Sequence, residues 1–207
     1  MQLAIHSMRG VVPFTQVMEG REMKKVLVLA VCLFVAIGFG TAFGEMPSMK
    51  VMDLAKTTLA DIGKDPVIVK AVADDNAKME SMADIEAMDS KWKAEEGVAD
   101  YMKDLMENDC AKHLKEIVAE HPYLVEIFVM DNQGANVCQT DKTGDYWQGD
   151  EAKFKKSYMD GKGEVFVDEV EYDEGMKANI SQVSVPVMDM GKAIGAITFG
   201  VNVDKVM

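Results

Sequence analysis

Arginine is almost missing from this chain, and its absence limits what the protein can bind. Arg9 and Arg21 are the only arginines among 207 residues. A guanidinium is the usual group for bidentate capture of a carboxylate, because it presents paired N–H donors in one plane. Recognition of an amino acid or a dicarboxylate would therefore depend on lysine side chains or backbone amides.

Positive charge as a whole is scarce. The chain has 22 lysines and arginines against 35 aspartates and glutamates, so its formal net charge is −13. A surface that neutralises phosphates needs clustered basic side chains. We therefore expect no nucleic acid partner.

Catalytic motifs are also missing. After residue 22 the histidines are His113 and His121, and both fall in the part predicted to be helical. The sequence has no nucleophile elbow, no zinc-ligand motif, no phosphate-binding loop and no C-x-x-C-H haem attachment. Paired carboxylates do occur, as an acidic chain has by chance. We predict that the protein is not an enzyme and has no cofactor and no metal ligands.

The start of the chain has the pattern of a targeting signal. A basic stretch, Met23–Lys25, precedes the apolar run Val26–Phe43, and small residues follow before Glu45. We predict a signal peptide at 23–44 and a periplasmic location. The alternative is an uncleaved membrane anchor, because the run approaches the length of a spanning helix. Residues 1–22 resemble no domain, so we interpret them as a mis-assigned upstream extension and Met23 as the true start.

Two cysteines, Cys110 and Cys138, follow the signal. An oxidising compartment allows a disulfide to persist, and an even count permits one bridge. Two separate buried thiols are the alternative, since a free cysteine packs as a small apolar residue. The sequence does not set the Cα distance that a bridge requires, so both alternatives stay open.

Segment 45–122 is predicted to be helical. Ser48 can cap a first helix that stops at Gly63, and Asp65-Pro66 provides an Asp cap followed by a first-turn proline. Asp84 is predicted to cap a third helix. Further apolar residues recur at helical spacing: Val98, Tyr101, Met102, Leu105, Leu114, Ile117 and Val118. Pro122 ends this segment.

Segment 123–207 is predicted to form a sheet, because its apolar residues recur at every second position. The predicted strands are 125–130, 135–139, 164–170, 178–188 and 193–203. Pro186 indicates a bulge or an edge position in the fourth strand, and Asp150 is predicted to cap a short helix that ends at Tyr158. Short joints favour antiparallel pairing. The predicted fold is α+β, with N-terminal helices packed on a five-stranded antiparallel sheet.

The two faces of this sheet are expected to differ. One is rich in Val, Ile and Phe and can pack under the helices. The other carries small or polar residues on the last two strands, which fits a cavity: Gln182, Ser184, Ala196, Thr198 and Gly200. Segment 140–158 is its natural cover. That segment contains "TGDYWQGDEAKF" (143–154), in which Tyr146 and Trp147 are either part of a pocket lid or a plug at the end of the sheet.

The ordered set of motifs resembles the Cache family of extracytoplasmic, PAS-like bacterial sensor domains. The motifs are "DPVIVKAV" (65–72), "EIFVMDNQGANV" (126–137), "TGDYWQGDEAKF" (143–154), "VEYDEG" (170–175) and "QVSVPVMDMGKAIGAITFGV" (182–201). The resemblance implies a PAS-like sheet with a small-molecule pocket under the loop and helix that follow the second strand. Family members usually continue into a membrane helix after the sheet, whereas this sequence ends at Met207. We therefore expect a single-domain, stand-alone sensor.

The predicted ligand-binding residues combine aromatic and acidic side chains: Phe128, Tyr146, Trp147, Asp150, Asp173, Ser184 and Thr198. Carboxylates beside aromatic rings favour a small amine or quaternary ammonium ion as the ligand. A neutral ligand, and a surface carboxylate cluster that binds nothing, stay open.

Two other functions remain as alternatives. The chain has 18 methionines, and Met46, Met49 and Met52 recur at every third residue. Thioethers select Cu(I), although methionine at helical spacing also fills cores. The helical segment could instead form a homodimer or dock on a membrane receptor, giving a partner-binding module without a ligand.

Overall fold

The computed structural model describes residues 46–206. The predicted upstream extension at 1–22 and the predicted signal peptide at 23–44 lie outside the described residues. Residues 46–206 belong to one compact unit, which spans Gly44–Met207. Within this described part, none of the helices has the length and hydrophobicity of a membrane-spanning segment.

Six helices are present in the described part of the chain. The first, α1, consists of an α-helical segment Met49–Leu54, a π-helical turn Ala55–Leu59 and a final turn Ala60–Ile62. The others are α2 Pro66–Asn76, α3 Met82–Ala94, α4 Asp100–Glu107, α5 Asp109–Glu120 and α6 Ala152–Tyr158.

The helix starts confirm two of the predicted caps. Ser48 accepts a hydrogen bond from the amide of Val51, and Asp65 accepts one from the amide of Val67 at 2.8 Å. Each satisfies an N–H group that the first helical turn leaves without a partner. The start of α1 and the start of α2 are therefore encoded locally.

Two other predicted caps are wrong. Ser81, not Asp84, caps α3, and its hydroxyl accepts from the amide of Asp84 at 3.2 Å. Asp84 instead lies in the first turn, where its carboxylate accepts from the Ser81 hydroxyl at 2.6 Å. Asp150 does not cap α6, because the extended residue before that helix is Glu151, which makes no side-chain cap bond.

The sheet has the predicted five strands. They are β1 Leu124–Met130, β2 Asn136–Gln139, β3 Phe166–Asp173, β4 Ala178–Asp189 and β5 Lys192–Asn202. Their order across the sheet is β2-β1-β5-β4-β3, and every neighbouring pair is antiparallel. The predicted α+β fold with a five-stranded antiparallel sheet is confirmed.

The prediction from Pro186 is also confirmed. β3 pairs with β4 only as far as Ser184, so Pro186 lies where β4 has become an edge strand. A register shift follows between Val187 and Met188. The amide of Met188 then donates to the carbonyl of Gly63 at 2.9 Å, which joins the end of α1 to this edge. A proline is tolerated here because no strand needs its missing N–H.

The main core lies on one side of the sheet, called here the first face. Helices α1, α2 and α5 cover it, and Ser181 is a fully buried polar residue on it, in register with Val201. The strand residues of its hydrophobic cluster are: Leu124, Ile127, Val129, Val137, Cys138, Val183, Val185, Val187, Ile197, Phe199 and Val201. Helices and sheet therefore share one hydrophobic core, as the sequence predicted.

A disulfide links Cys110 of α5 to Cys138 of β2. The two residues are 28 positions apart in the sequence, and both are buried in the main core. Of the two alternatives left open by the sequence, the structure therefore has the disulfide and not two separate thiols. The disulfide links a helix that covers the first face to an edge strand of the sheet.

Candidate functional site: the second face of the sheet

The chain that joins β2 to β3 must cross the sheet, because these strands occupy opposite edges. It crosses on the side away from the main core, called here the second face, and brings α6 against β4 and β5. α6 covers only part of that face. The second face therefore has a covered part under α6 and an open part beyond it.

The covered part is a row of residues in register across the sheet. Phe128 of β1 pairs with Thr198 of β5, and Thr198 pairs with Ser184 of β4. The hydroxyls of Ser184 and Thr198 lie 2.8 Å apart in a hydrogen bond, and both residues are fully buried. Above them, Phe154 of α6 packs with Phe128, Met130 and Ala196.

Three buried polar groups on this side of the sheet lack hydrogen-bonding partners among the described residues. They are the amide nitrogen of Gln139, whose Cα pairs with that of Phe128, the amide oxygen of Asn136, whose Cα pairs with that of Met130, and the hydroxyl of Ser157 in α6. Buried polar groups in folded proteins are nearly always hydrogen-bonded. These groups are therefore available for hydrogen bonds with water or with a polar group of a ligand.

The open part of the second face is an acidic cleft of about 260 Å³. Five of its eight lining residues are acidic and none is basic: Glu126, Asp168, Glu169, Glu171, Tyr172, Asp173, Ile180 and Gln182. The row after Phe128 forms its inner end, where Glu126 pairs with Gly200 and Gly200 pairs with Gln182. This small negative cavity is the candidate binding site.

Gly200 makes room for the side chain of Glu126. A Cβ atom at position 200 would lie 2.6 Å from Glu126 Cγ, closer than real Cβ contacts come. The glycine therefore lets the acidic side chain lie across β5 towards Gln182, which lines the same cleft. Burial raises the pKa of Glu126 above its ordinary value, and the nearby ammonium of Lys153 does not cancel that effect.

Lys153 of α6 stands at the border between the two parts. Its ammonium lies 5.4 Å from the centre of the Phe128 ring, and its side chain is only 15% exposed. Its one ion pair in the described part of the chain is loose, with 3.6 Å between Nζ and Oε2 of Glu151. Lys155 and Lys156 of the same helix are, by contrast, exposed.

The structure brings together four of the seven predicted ligand-binding residues on the second face. Phe128, Ser184 and Thr198 lie in the covered part, and Asp173 lines the cleft, where its carboxylate also accepts from the amide of Met176. Asp150 is exposed beside the start of α6.

Tyr146 and Trp147 lie in a different cluster, against α3 and α4. The Tyr146 ring is 6.0 Å from that of Trp92, and the Trp147 indole donates to the carbonyl of Gln133 at 2.8 Å. One carboxylate oxygen of Asp89 accepts from the amides of both residues, at 3.0 and 3.1 Å. These contacts fit the plug interpretation of the loop.

Apart from Asp173, none of the residues that line the cleft was selected from the sequence, and neither was Lys153. Glu126 had a visible signal, because it is an acidic residue in a predicted strand on the same face as Phe128. Gln182 was placed on the correct face without a role. Lys153 had no signal, since its helix carries three lysines within four residues and nothing in their order singles one out.

The solved structures similar to this chain are bacterial sensor domains. The sensor domain of the V. cholerae histidine kinase DctB has 13% identity and a TM-score of 0.46 over 75% of this chain. The ligand-binding domain of the Campylobacter jejuni chemoreceptor Tlp3, in complex with 4-methylisoleucine, has 12% identity and a TM-score of 0.36 over 77%. The E. coli DcuS sensor domain has 16% identity and a TM-score of 0.34 over 69%.

The matched part is 51% of the DctB chain, 62% of the Tlp3 chain and 96% of the DcuS chain. No family model and no curated protein matches the sequence. Likenesses at these identities and TM-scores assign no ligand, so the chemistry of the site has to come from its own residues.

Proposed function

We propose that this protein is a sensor domain that binds a small cationic amine in the acidic cleft of the second face, outside the cytoplasm. The observation that carries the proposal is the position of Glu126, a partly buried carboxylate at the inner end of a cavity lined by four further carboxylates and by no basic side chain. A partly buried negative charge without a direct cationic partner favours a ligand that supplies the positive charge.

The dimensions and the lining narrow the ligand class. A cleft of about 260 Å³ lies just below the usual size range of pockets for drug-sized molecules, so it suits a small ligand. Gln182 offers a hydrogen bond, and Tyr172 offers an aromatic ring at the rim. A primary or quaternary ammonium ion with a short carbon chain satisfies these features.

The location outside the cytoplasm rests on the sequence. The predicted signal peptide at 23–44 would export the domain to the periplasm, where the disulfide between Cys110 and Cys138 can persist. N-terminal sequencing of the periplasmic protein should then find Glu45 as the first residue. Recovery only from membranes, with the apolar run intact, would favour the anchor.

Binding can be tested with ethylammonium and tetramethylammonium chloride. Either salt should raise the melting temperature with the logarithm of its concentration, beyond the effect of equal sodium chloride. Glu126→Gln should abolish this increase, because the substitution keeps the shape of the side chain and removes its charge. Glu120→Gln is the matched control, since Glu120 is exposed at the end of α5, away from the cleft.

Three outcomes would contradict the proposal. Stabilisation by small carboxylates or neutral solutes alone would identify a different ligand class. An amine effect that disappears at moderate salt and is equal in Glu126→Gln would indicate screened surface binding. Amine-dependent stabilisation that is lost equally in the Glu120→Gln control would show that net charge, and not the cleft, is responsible.

The pKa of Glu126 gives a further expected result. Burial raises that pKa, so a proton competes with the cation at a higher pH than for an ordinary glutamate. Amine affinity should therefore fall as the pH decreases through the raised pKa of Glu126, and be restored above it. Calorimetric titrations with tetramethylammonium across this range should show the loss in the wild type and a flat, weak response in Glu126→Gln.

A further inference from the structure

The ammonium of Lys153 occupies an unusual environment for a lysine of a surface helix. Its side chain is 85% covered, it faces an aromatic ring, and its ion pair with Glu151 measures 3.6 Å. An ammonium has three N–H donors and is strongly hydrated in water. Its position also places positive charge near a group of the second face that attracts it.

The attracting group is Glu126. Phe128, which lies under the ammonium, and Glu126 are two residues apart in β1, so their side chains emerge on the same face. Lys153 lowers the pKa of Glu126 through its charge, against the larger effect of burial. The helix thus brings its own cation to the carboxylate that ends the acidic cleft.

From this arrangement we propose that Lys153 is a tethered competitor for the ligand: its ammonium partly offsets the charge of Glu126 in the empty site, without a direct ion pair between them, and a bound cation displaces it. This inference rests on the proposed amine site. Binding would then release the Lys153 side chain from the Phe128 ring towards solvent. α6, which covers the rest of the second face, would lose one of its contacts to the sheet.

Acetylation of lysines can test the exchange on the wild-type protein. The protein is treated briefly with a water-soluble acetyl ester, with and without saturating tetramethylammonium chloride, against sodium chloride at equal ionic strength. Tetramethylammonium has no N–H group and does not consume the ester. Mass spectrometry should show that acetylation of Lys153 becomes about tenfold faster with the cation, the gain expected if Lys153 is seated about 90% of the time.

Lys155 is the internal control in the same peptide region. It is exposed in α6, so its acetylation should not depend on the cation. If acetylation of Lys153 is unchanged or slower at saturating tetramethylammonium, the two cations do not exchange and the inference is overturned. A parallel acceleration at Lys155 would indicate general loosening of α6 and would also overturn it.

Affinity measurements on two variants give an independent test. Lys153→Met keeps the aliphatic stem over Phe128 and removes the charge, so the affinity for tetramethylammonium should rise about tenfold. Lys155→Met removes the same charge from the same helix at an exposed position, where the effect should stay within about twofold.

The affinities also separate the two proposals. Equal affinity in the wild type and Lys153→Met would overturn the competitor and leave the amine site standing. Weaker binding in Lys153→Met would assign Lys153 to the ligand's own contacts, which overturns the competitor as well. Absence of binding to both proteins would overturn the amine site and, with it, the competitor.

Discussion

The two faces of the sheet are built from the same five strands and carry opposite chemistry. The first face is closed by α1, α2 and α5 and is mainly apolar. The second face has hydroxyl groups under α6 and carboxylates beyond the area that α6 covers. Strand residues alternate between the two faces, so each strand has to satisfy both requirements at neighbouring positions.

This comparison indicates how stability and binding are divided. Apolar area removed from water stabilises the fold, so the first face is expected to carry most of that contribution. Burying polar groups and carboxylates gives little stability and often costs some. A face that is kept polar in spite of that cost is the natural place for a ligand.

The largest expected effect comes from a cavity in the first face. Phe199 is fully buried in the main core and is followed in β5 by Gly200 of the second face. Phe199→Ala should lower the free energy of unfolding by about 3–5 kcal/mol, measured by urea denaturation. Amine affinity at a temperature where the variant is folded should not change. A tenfold loss of affinity would break the division between the faces.

The disulfide is the next largest contribution to the first face. It closes a loop with a sequence separation of 28 residues. Restriction of the unfolded chain by a loop of that length stabilises by about 3.5 kcal/mol in the chain-entropy model. Replacing both cysteines by alanine should lower the melting temperature accordingly and leave amine binding intact. Free thiols that titrate in the unfolded, unreduced protein would contradict the bridge.

Much of the fold could be predicted from the sequence because its signals are local. The cap at Asp65 and the alternation around Ile127 each depend on residues a few positions apart. The bulge or edge position predicted from Pro186 was also confirmed, since proline lacks the N–H that a central ladder position requires. Asp84 and Asp150 failed as caps because a second polar residue, Ser81 or Glu151, stood nearby at the true boundary.

The candidate site was predicted less completely, because its composition depends on the order of the strands in the sheet and on the paths of the connecting loops. Thr198 and Ser184 were assigned to the second face by alternation alone. The sequence did not show that Tyr146 and Trp147 lie away from Thr198 and Ser184. Their position depends on Asp89, which is 57 positions before Tyr146 and is not marked by any sequence pattern. Lys153 likewise acquires its role only from the strand beneath α6.

A smaller effect should come from the hydroxyl pair on the second face. Ser184→Ala removes one partner and leaves the buried hydroxyl of Thr198 unsatisfied, which should cost about 1–2 kcal/mol in unfolding free energy. Adding Thr198→Val removes the other polar group with little change in shape. The double variant should recover most of the loss in urea denaturation. Equal or additive losses would show that the two hydroxyls do not depend on each other.

The smallest expected effect concerns an ion pair among the helices of the first face. His113 of α5 lies 3.0 Å from the Asp65 carboxylate at the start of α2, and both side chains are about three-quarters covered. Burial disfavours the charged form of each and is the largest single cause, but the hydrogen bond between them, their opposite charges and further hydrogen bonds together outweigh it. The pKa of His113 is therefore raised and the pKa of Asp65 is lowered. Partial exposure limits the pair to below about 1 kcal/mol.

The sign of the pH dependence follows from these two directions. The His113 contribution is fully present below the unfolded pKa of about 6.5 and is lost as the pH rises through the raised folded pKa. The Asp65 contribution is present above its unfolded pKa and is lost as the pH falls through the lowered folded pKa. The wild type should therefore be more stable than His113→Gln at pH 5.5, and this difference in unfolding free energy should be smaller at pH 8.5. Lys112→Gln, which breaks an exposed pair with Asp109, should show no such difference. If the His113→Gln deficit is the same at both pH values, the stabilisation comes from packing of the ring and not from its charge.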